Sequence, residues 1–325
     1  MPFYNQELDF QLGIIETRLF SRWVANNLPE CDAYIAISGS GLQAGRVAKK
    51  RGAGYIMDRG STHIKFANEI LSEEYRRWNI PWKPISPWLI DNEEAEAAEA
   101  NLITIPSHFV KQTFIQYGVD AAKLRVVPYG VSLKEFYPVD QPPVDCFRLV
   151  FVGQFSLRKG ALYLLEAFKN FKHPNKELVV LGHVPIELKT LISQIGYNHV
   201  RFVGMVPRSK VKEYMSSSHA LVLPSIEEGL ALVQVQALAC GCPVIATPNT
   251  GSETLFQHAK HGLIIESKSS KALTDAFVRL ADEPSLREQM RTNGLQLIQH
   301  LGGWQTYAQG IVKVAMETQK PSIPC

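Results

Sequence analysis

The sequence predicts an α/β protein made of two doubly wound, Rossmann-like domains that face each other across a central cleft. Short apolar runs rich in β-branched residues alternate with longer amphipathic stretches, a pattern typical of parallel strands buried on both faces. A proline-rich segment without helical period, YPVDQPPVD at 137–145, interrupts the alternation and indicates an extended linker. With 325 residues and 46% hydrophobic content, the chain is long enough to give each domain its own core.

The predicted strands form two sets, one on each side of the linker. The first set comprises 33–38, 55–58, 102–107 and 124–130. The second set comprises 147–155, 177–182, 199–206, 219–225 and 242–248. The chain is predicted to start with a helix rather than a strand, so the first domain is expected to be short. The predicted units are a first domain at 1–141, a second domain at 146–303, and a helix and tail at 304–325.

Composition limits the classes of partner and the compartment. The net charge is only +3, with 15 Lys/Arg against 18 Asp/Glu in residues 1–146 and 19 against 13 in the remainder. Such a balance argues against a nucleic-acid partner and suits a compact anion such as a diphosphate. Five cysteines without metal-ligand spacing indicate reduced thiols in a cytoplasmic protein. No window reaches the roughly 18 apolar residues of a membrane span, so the expectation is a soluble protein, with peripheral contact at the inner face of a membrane left open.

The loop after the first strand carries a glycine pattern with two interpretations. Gly39, Gly41 and Gly45 follow the strand, and Asp58 ends the next one. Ligands of open α/β sheets bind beyond the carboxyl ends of the strands, and this spacing resembles a dinucleotide fingerprint. A glycine-rich turn from strand to helix gives the same spacing without a ligand. Spacing alone is a weak signal, so the sequence favours the plain turn over a nicotinamide site.

The loop that opens the second domain predicts an anion site. Gly153 ends a strand, and Arg158, Lys159 and Gly160 precede an amphipathic helix. Two adjacent cations at the start of a helix combine positive charge with unpaired backbone amides. Ordinary solvated charges on a turn are the alternative.

A second loop repeats this arrangement. In PSIEEGLALVQVQALACGCPVIATPNTGSE, residues 224–253, a strand ends in a turn at Glu227, Glu228 and Gly229, and an apolar helix follows. The free amides at its start point into the same cleft, and Gln236 lies about two turns further along.

This segment resembles the E-x7-E region of retaining glycosyltransferases of family 4, whose usual form is P-S-x-x-E-G-F-G-L-V-x-x-E-A-M-A-x-G-x-P-V-I-A. VGQFSLRKG is similar to the family's phosphate-gripping loop, and GGWQTYAQGIVKVAMET is similar to its terminal helix. The likeness runs from about residue 33 to 318. It implies a GT-B fold in which 1–141 is the acceptor-side domain, 146–303 is the nucleotide-sugar donor domain, and the helix and tail at 304–325 pack on the first domain. It also implies a metal-independent hexosyltransferase that needs no cofactor. The donor would be a UDP or GDP sugar, and the acceptor a hydroxyl of a glycan, lipid or small molecule.

The resemblance also implies roles for individual residues. Arg158 and Lys159 would hold the diphosphate, Glu228 would accept hydrogen bonds from the sugar hydroxyls, and His63 would lie near the donor sugar and the acceptor. The implied catalytic residues are Glu228, Lys159, Arg158 and His63. The implied donor-binding residues are Gly153, Gln154, Val203, Gly229, Leu230, Ala231, Leu232 and Gln236.

Two departures from the family pattern keep other functions open. Gln236 stands where the family has a second glutamate, and it lacks the charge that makes a carboxylate the stronger partner of ribose hydroxyls. Gln154 stands where many members have an arginine. A catalytically weak or inactive nucleotide-sugar-binding homologue therefore remains an alternative, and a nicotinamide-dependent oxidoreductase is a more distant one.

Overall fold

The computed structural model describes residues 6–319, with side chains from residue 12 onward. The predicted first domain and the predicted tail both extend past these limits, so residues 1–5 and 320–325 of those predictions lie outside the described chain. Two all-parallel sheets with helices packed around them confirm the predicted fold class. No helix between residues 6 and 319 combines the length and the apolar character that crossing a membrane requires.

The first domain is built on a four-stranded parallel sheet in the order β1-β2-β3-β4. Its strands are β1 (Ala33–Ile37), β2 (Gly54–Asp58), β3 (Leu102–Ile105) and β4 (Leu124–Val126). Its helices are α1 (Gln6–Asn27), α2 (Leu42–Lys50), α3 (Ile64–Arg77), α4 (Pro87–Glu99) and α5 (His108–Gln116), with a 3-10 turn at Ala121–Lys123. The first element of the described chain is a helix, in line with the sequence prediction, and β1 lies at an edge of the sheet.

The second domain has a six-stranded parallel sheet in the order β10-β9-β8-β5-β6-β7. Its strands are β5 (Phe147–Val152), β6 (Lys176–Leu181), β7 (Val200–Gly204), β8 (Ala220–Leu223), β9 (Val244–Ala246) and β10 (Gly262–Ile264). Its helices are α6 (Ala161–Asn170), α7 (Lys189–Ile195), α8 (Arg208–Ser216), α9 (Leu232–Ala239), α10 (Ser252–Leu255), α11 (Ser270–Asp282) and α12 (Pro284–Leu301), with 3-10 turns at Ile186–Leu188 and Pro248–Thr250. Strand β10 was not predicted.

The last helix, α13 (Trp304–Glu317), returns to the first domain. Its Glu317 carboxylate pairs with Arg125 of β4 at 2.6 Å. Gly310 lies so close to Val127 that an added Cβ atom would be 2.8 Å from that side chain. The chain thus crosses from the second domain back onto the sheet of the first.

The loops at the carboxyl ends of the two sheets touch each other. Ser107, at the start of α5, donates its hydroxyl to the carbonyl oxygen of Gly229 at 2.7 Å. The backbone amide of His108 donates to Thr254 Oγ1 at 2.9 Å. These contacts join the two domains across the cleft, linking the loop after β3 to the segments that follow β8 and β9.

Candidate active site

Two cations lie at the mouth of the cleft, in the loop between β5 and α6. The Arg158 side chain is 35% exposed, whereas that of Lys159 is only 12% exposed. Gly160 then adopts φ +71°, and an added Cβ atom would lie 2.1 Å from the carbonyl oxygen of Pro224. Only glycine allows this approach. The cationic loop is therefore pressed against the loop that follows the neighbouring strand, β8.

The carboxylate of Glu228 pairs with both cations. Lys159 Nζ contacts Glu228 Oε1, and Arg158 Nη1 lies 3.3 Å from the same oxygen. Burial lowers the pKa of Lys159 to about 7 and the charge of Arg158 lowers it too, while Glu227 acts in the opposite direction. A bound anion could compete with Glu228 for this buried lysine, because one carboxylate is shared between two cations. The two sequence-predicted cations and Glu228 thus form one cluster.

Glu227 joins the two domains, a role that the sequence did not reveal. The whole residue is only 3% exposed. Its carboxylate accepts hydrogen bonds from Ser61 Oγ at 2.7 Å and from Thr62 Oγ1 at 2.6 Å. Arg158 Nη1 donates to its backbone oxygen at 3.0 Å. Burial opposes ionisation, but these hydroxyl bonds and the charge of Arg158 lower the pKa of Glu227 below its usual value. Glu227 therefore stays charged and ties the loop after β2 to the loop after β8.

Gly229 fits where no other residue would. A Cβ atom at this position would lie 1.8 Å from the backbone oxygen of Gly60 in the first domain.

Ala231, at the start of α9, donates its amide to Thr250 O at 3.2 Å. The amide of Ala231, a predicted donor-binding group, is thus already bonded within the protein. Leu230 and Leu232 lie on either side of it in the chain. Leu230 is buried and Leu232 half-buried.

The two glutamines of α9 have different environments. Gln234 is fully buried and donates to Thr250 O at 2.9 Å, while Thr250 Oγ1 donates to its Oε1 at 3.1 Å. Gln236 is half-buried, and its side chain has no hydrogen-bond partner in the described part of the chain. Gln234 therefore has a structural role, because it hydrogen-bonds Thr250 in the loop after β9. Gln236 has polar groups that remain available to a ligand.

Three further predicted donor residues lie on neighbouring strand ends. Gly153 adopts φ +138° directly after β5, where an added Cβ atom would approach only Lys159 Cε, at 4.0 Å. Gln154 follows and is exposed. Val203, near the end of β7, is half-buried against the core of the second domain. All three lie at the carboxyl side of the sheet, where Rossmann-like folds bind ligands.

His63 lies in the interior of the first domain. It is 2% exposed, its Nε2 is 2.9 Å from Glu94 Oε1, and its ring stacks on Tyr117 with centroids 4.6 Å apart. Burial lowers the pKa of His63 to about 4, against the opposing effect of Glu94. The side chain packs between α4 and α5 rather than beside Lys159. A contact with donor or acceptor stays a prediction, and the geometry gives His63 a structural role.

The glycine-rich turn after β1 is filled by a side chain of the protein itself. Glu96, which is fully buried, accepts the amides of Gly39 and Gly41 at 2.6 Å and that of Leu42 at 3.0 Å. Tyr55 fills the space next to Gly45, where an added Cβ atom would be 2.6 Å from its ring. A pyrophosphate would have to displace a buried carboxylate. The turn interpretation therefore agrees with the structure, and the nicotinamide site does not.

Comparison with known proteins shows what the chain is similar to. Residues 137–297, just under half of the chain, match the family model described as "Glycosyl transferases group 1". A D-inositol 3-phosphate glycosyltransferase from Kribbella flavida is 27% identical over 289 residues, which cover 82% of this chain and 66% of the relative. The putative teichuronic acid biosynthesis glycosyltransferase TuaC from Bacillus subtilis is 33% identical over 168 residues, covering 49% of this chain and 41% of the relative. The chain thus spans about two thirds of the first of these relatives.

Solved structures resemble the chain over almost its whole length. Sucrose-phosphate synthase from Thermosynechococcus elongatus superposes with a TM-score of 0.70 at 20% identity, covering 97% of this chain and 80% of that one. HepE from Anabaena in complex with UDP gives a TM-score of 0.70 at 17% identity, covering 93% and 82%. At this identity the likeness establishes the fold. The chain has the GT-B architecture, with two Rossmann-like domains and a cleft between them.

Proposed function

We propose that the chain is a group 1 glycosyltransferase that moves a sugar from a nucleotide-diphosphate sugar to an acceptor hydroxyl. One observation carries the proposal: Lys159 and Arg158, from the loop after β5, meet Glu228, from the loop after β8, at the mouth of the cleft. Cations that can neutralise a diphosphate thus lie beside a carboxylate that can accept sugar hydroxyls. The match of residues 137–297 to the glycosyltransferase family supports the same function.

The donor would replace an internal ion pair with an intermolecular one. Without a ligand, Glu228 neutralises the two cations. A diphosphate bound to Lys159 and Arg158 would release that carboxylate to accept hydrogen bonds from the sugar. As the glycosidic bond breaks, negative charge grows on the leaving phosphate, and cations already in place stabilise it without reorganisation.

The proposed reaction retains the anomeric configuration and uses no metal. The acceptor hydroxyl would attack the face from which the nucleoside diphosphate departs, and its proton would pass to the leaving phosphate. Lys159 and Arg158 would supply the charge that a divalent cation supplies in other transferases. Among residues 12–319, whose side chains the structure describes, there is no group of three or more His, Cys, Asp or Glu side chains positioned to hold a metal ion.

We propose UDP as the nucleotide to test first, because the structures similar to this chain include HepE bound to UDP and to UDP-glucose. The reaction would take place in the cytoplasm. The described cysteines, Cys31, Cys146, Cys240 and Cys242, are all free thiols, which suits a reducing compartment.

Gln236 favours a second candidate function, in which the protein binds a nucleotide sugar with little or no turnover. Its amide accepts from one ribose hydroxyl more weakly than a carboxylate would. The Gln236→Glu variant is expected to tighten UDP binding, because a charged acceptor forms the stronger bond.

The deciding experiment measures binding and turnover on the same preparation. Calorimetry with UDP and GDP tests the site, and release of UDP or GDP from a panel of nucleotide sugars tests catalysis. Binding together with sugar-dependent release establishes the transferase. Binding without release, in both wild type and Gln236→Glu, establishes the binder. Absence of binding to either nucleotide refutes both functions.

A further inference from the structure

Strand β1 is an open sheet edge without the usual protection. In the described chain β2 is its only strand neighbour, so the outward backbone groups of Ala33–Ile37 have no strand partner. Natural edge strands are commonly shielded by lysine, proline or a bulge. The sequence of β1, AYIAI, contains none of these, and Ile35 and Ile37 are 37% and 73% exposed.

Helix α1 adds an apolar stripe to this edge. Its members Leu12, Ile15, Leu19, Phe20 and Trp23 are between 46% and 63% exposed. Ser21, on the opposite side of the helix, is 7% exposed and donates to Ser40 O at 2.9 Å, just after β1. That bond fixes α1 at the carboxyl end of β1, where it packs on α2 with its stripe turned away from the domain.

Helix α13 contributes two more apolar residues on the other face of the sheet. Glu317 and Gly310 lie on the flank of α13 that contacts β4. Val312 and Met316 lie on the other side of this helix and are 55% and 64% exposed, and α13 also contacts β1. Exposed apolar side chains are thus found on β1 itself and on two helices of the same region, α1 and α13.

We call these residues the edge patch; its nine members are Leu12, Ile15, Leu19, Phe20, Trp23, Ile35, Ile37, Val312 and Met316. With a large apolar side chain taken as about 150 Å², their exposed parts amount to about 750 Å². The largest single apolar patch on a soluble monomer is typically about 300–600 Å². A standard stable interface buries about 800 Å² from each partner, so the patch has the size of half an interface.

We propose that a second copy of this chain covers the edge patch in a two-fold symmetric dimer. A two-fold axis at Ile35 pairs β1 with the same strand of the other copy in antiparallel register. Ile35 then faces Ile35 of the partner subunit, Ala33 faces Ile37 of the partner subunit, and Tyr34 faces Ala36 of the partner subunit. Each large side chain apart from the central pair meets a small one, so β1 is complementary to itself. The pairing satisfies both open edges and closes the assembly at two copies.

The mass of the full chain in solution tests the dimer. Light scattering and sedimentation velocity over a range of concentrations are expected to give twice the chain mass of 36.4 kDa. Ile37→Lys is expected to raise the dimer dissociation constant about tenfold or more, because the interface would bury an unpaired charge. Ile37 is 73% exposed in the single chain, so the variant should fold. Ile186→Lys is the matched control, since Ile186 is 78% exposed on the second domain.

A cysteine at the axis tests the register. Ile35→Cys is expected to give a disulfide-linked dimer under mild oxidation, whereas wild type, which already has the exposed Cys31, is not. A monomer at all concentrations overturns the proposal. So does a dimer that Ile37→Lys leaves as tight as Ile186→Lys does, or an open series of larger assemblies. A dimer in which Ile35→Cys fails to cross-link overturns the antiparallel pairing of β1.

Discussion

Replacing Lys159 with methionine removes the central charge of the site and keeps an unbranched side chain of similar length. In the folded chain Lys159 is 12% exposed and contacts Glu228. Methionine leaves Glu228 with Arg158, 3.3 Å away, as its remaining cation. The variant therefore separates the role of the lysine in binding a diphosphate from its role in folding.

The expected loss is larger in binding than in stability. A hydrogen bond to a charged group contributes about 1.5–3 kcal/mol, so UDP should bind about 10- to 150-fold more weakly to Lys159→Met. The free energy of unfolding should change by less than about 1 kcal/mol, because an apolar group relieves the cost of burying the ammonium and Arg158 still neutralises Glu228.

The pH dependence of binding gives an independent check. Burial lowers the pKa of Lys159 to about 7 in the free protein, and a bound diphosphate would raise it. Binding would then take up a proton above pH 7, and the wild-type affinity for UDP should fall as pH rises, by up to about tenfold per unit. Lys159→Met has no such group and should lack this slope between pH 7 and 9.

Calorimetry measures both effects when the titration is repeated in buffers of different ionisation enthalpy. Urea unfolding of the same variants gives the stability. Lys271→Met serves as control, since Lys271 lies in the same domain and is 85% exposed. The reasoning is refuted if Lys159→Met binds UDP within a factor of two of wild type. It is also refuted if the free energies of binding and unfolding fall by the same amount.

Three further substitutions test the contacts around the site. In Gly229→Ala the added methyl group would lie 1.8 Å from Gly60 O, so the free energy of unfolding in urea should fall by about 1–3 kcal/mol. An unchanged midpoint would show that the domains do not meet there. Gln234→Leu should cost a similar 1–3 kcal/mol by the same assay, because buried carbonyl oxygens lose their donor, and a neutral effect would contradict the assigned bonds. Burial and nearby cations lower the pKa of His219 to about 4, and Arg148 N donates to His219 Nδ1 at 3.0 Å, a bond that only the neutral ring can accept. The unfolded chain therefore binds more protons between about pH 6.5 and 4, and wild type should lose up to about 3 kcal/mol relative to His219→Asn as pH falls through that window; parallel pH profiles would exclude the assignment.

The sequence alone was enough for most of the architecture. Apolar runs separated by helix-length stretches predicted nine of the ten strands found between residues 6 and 319, because burial on both faces imposes composition on each strand separately. Only β10, of three residues, was missed. The grouping of Arg158, Lys159 and Glu228 was also predictable, since parallel strands bring the loops at their carboxyl ends to the same side of a sheet.

Contacts between distant segments were decided by the tertiary structure. Glu227 and Glu228 are adjacent carboxylates in the sequence, yet one binds hydroxyls of the first domain and the other pairs with Lys159. Glu96 fills the glycine-rich turn, and His63 turns inward to Glu94. Local sequence fixes which groups a loop offers, because composition and period act over a few residues. Which partner each group meets depends on how the two domains pack, and no single segment contains that information.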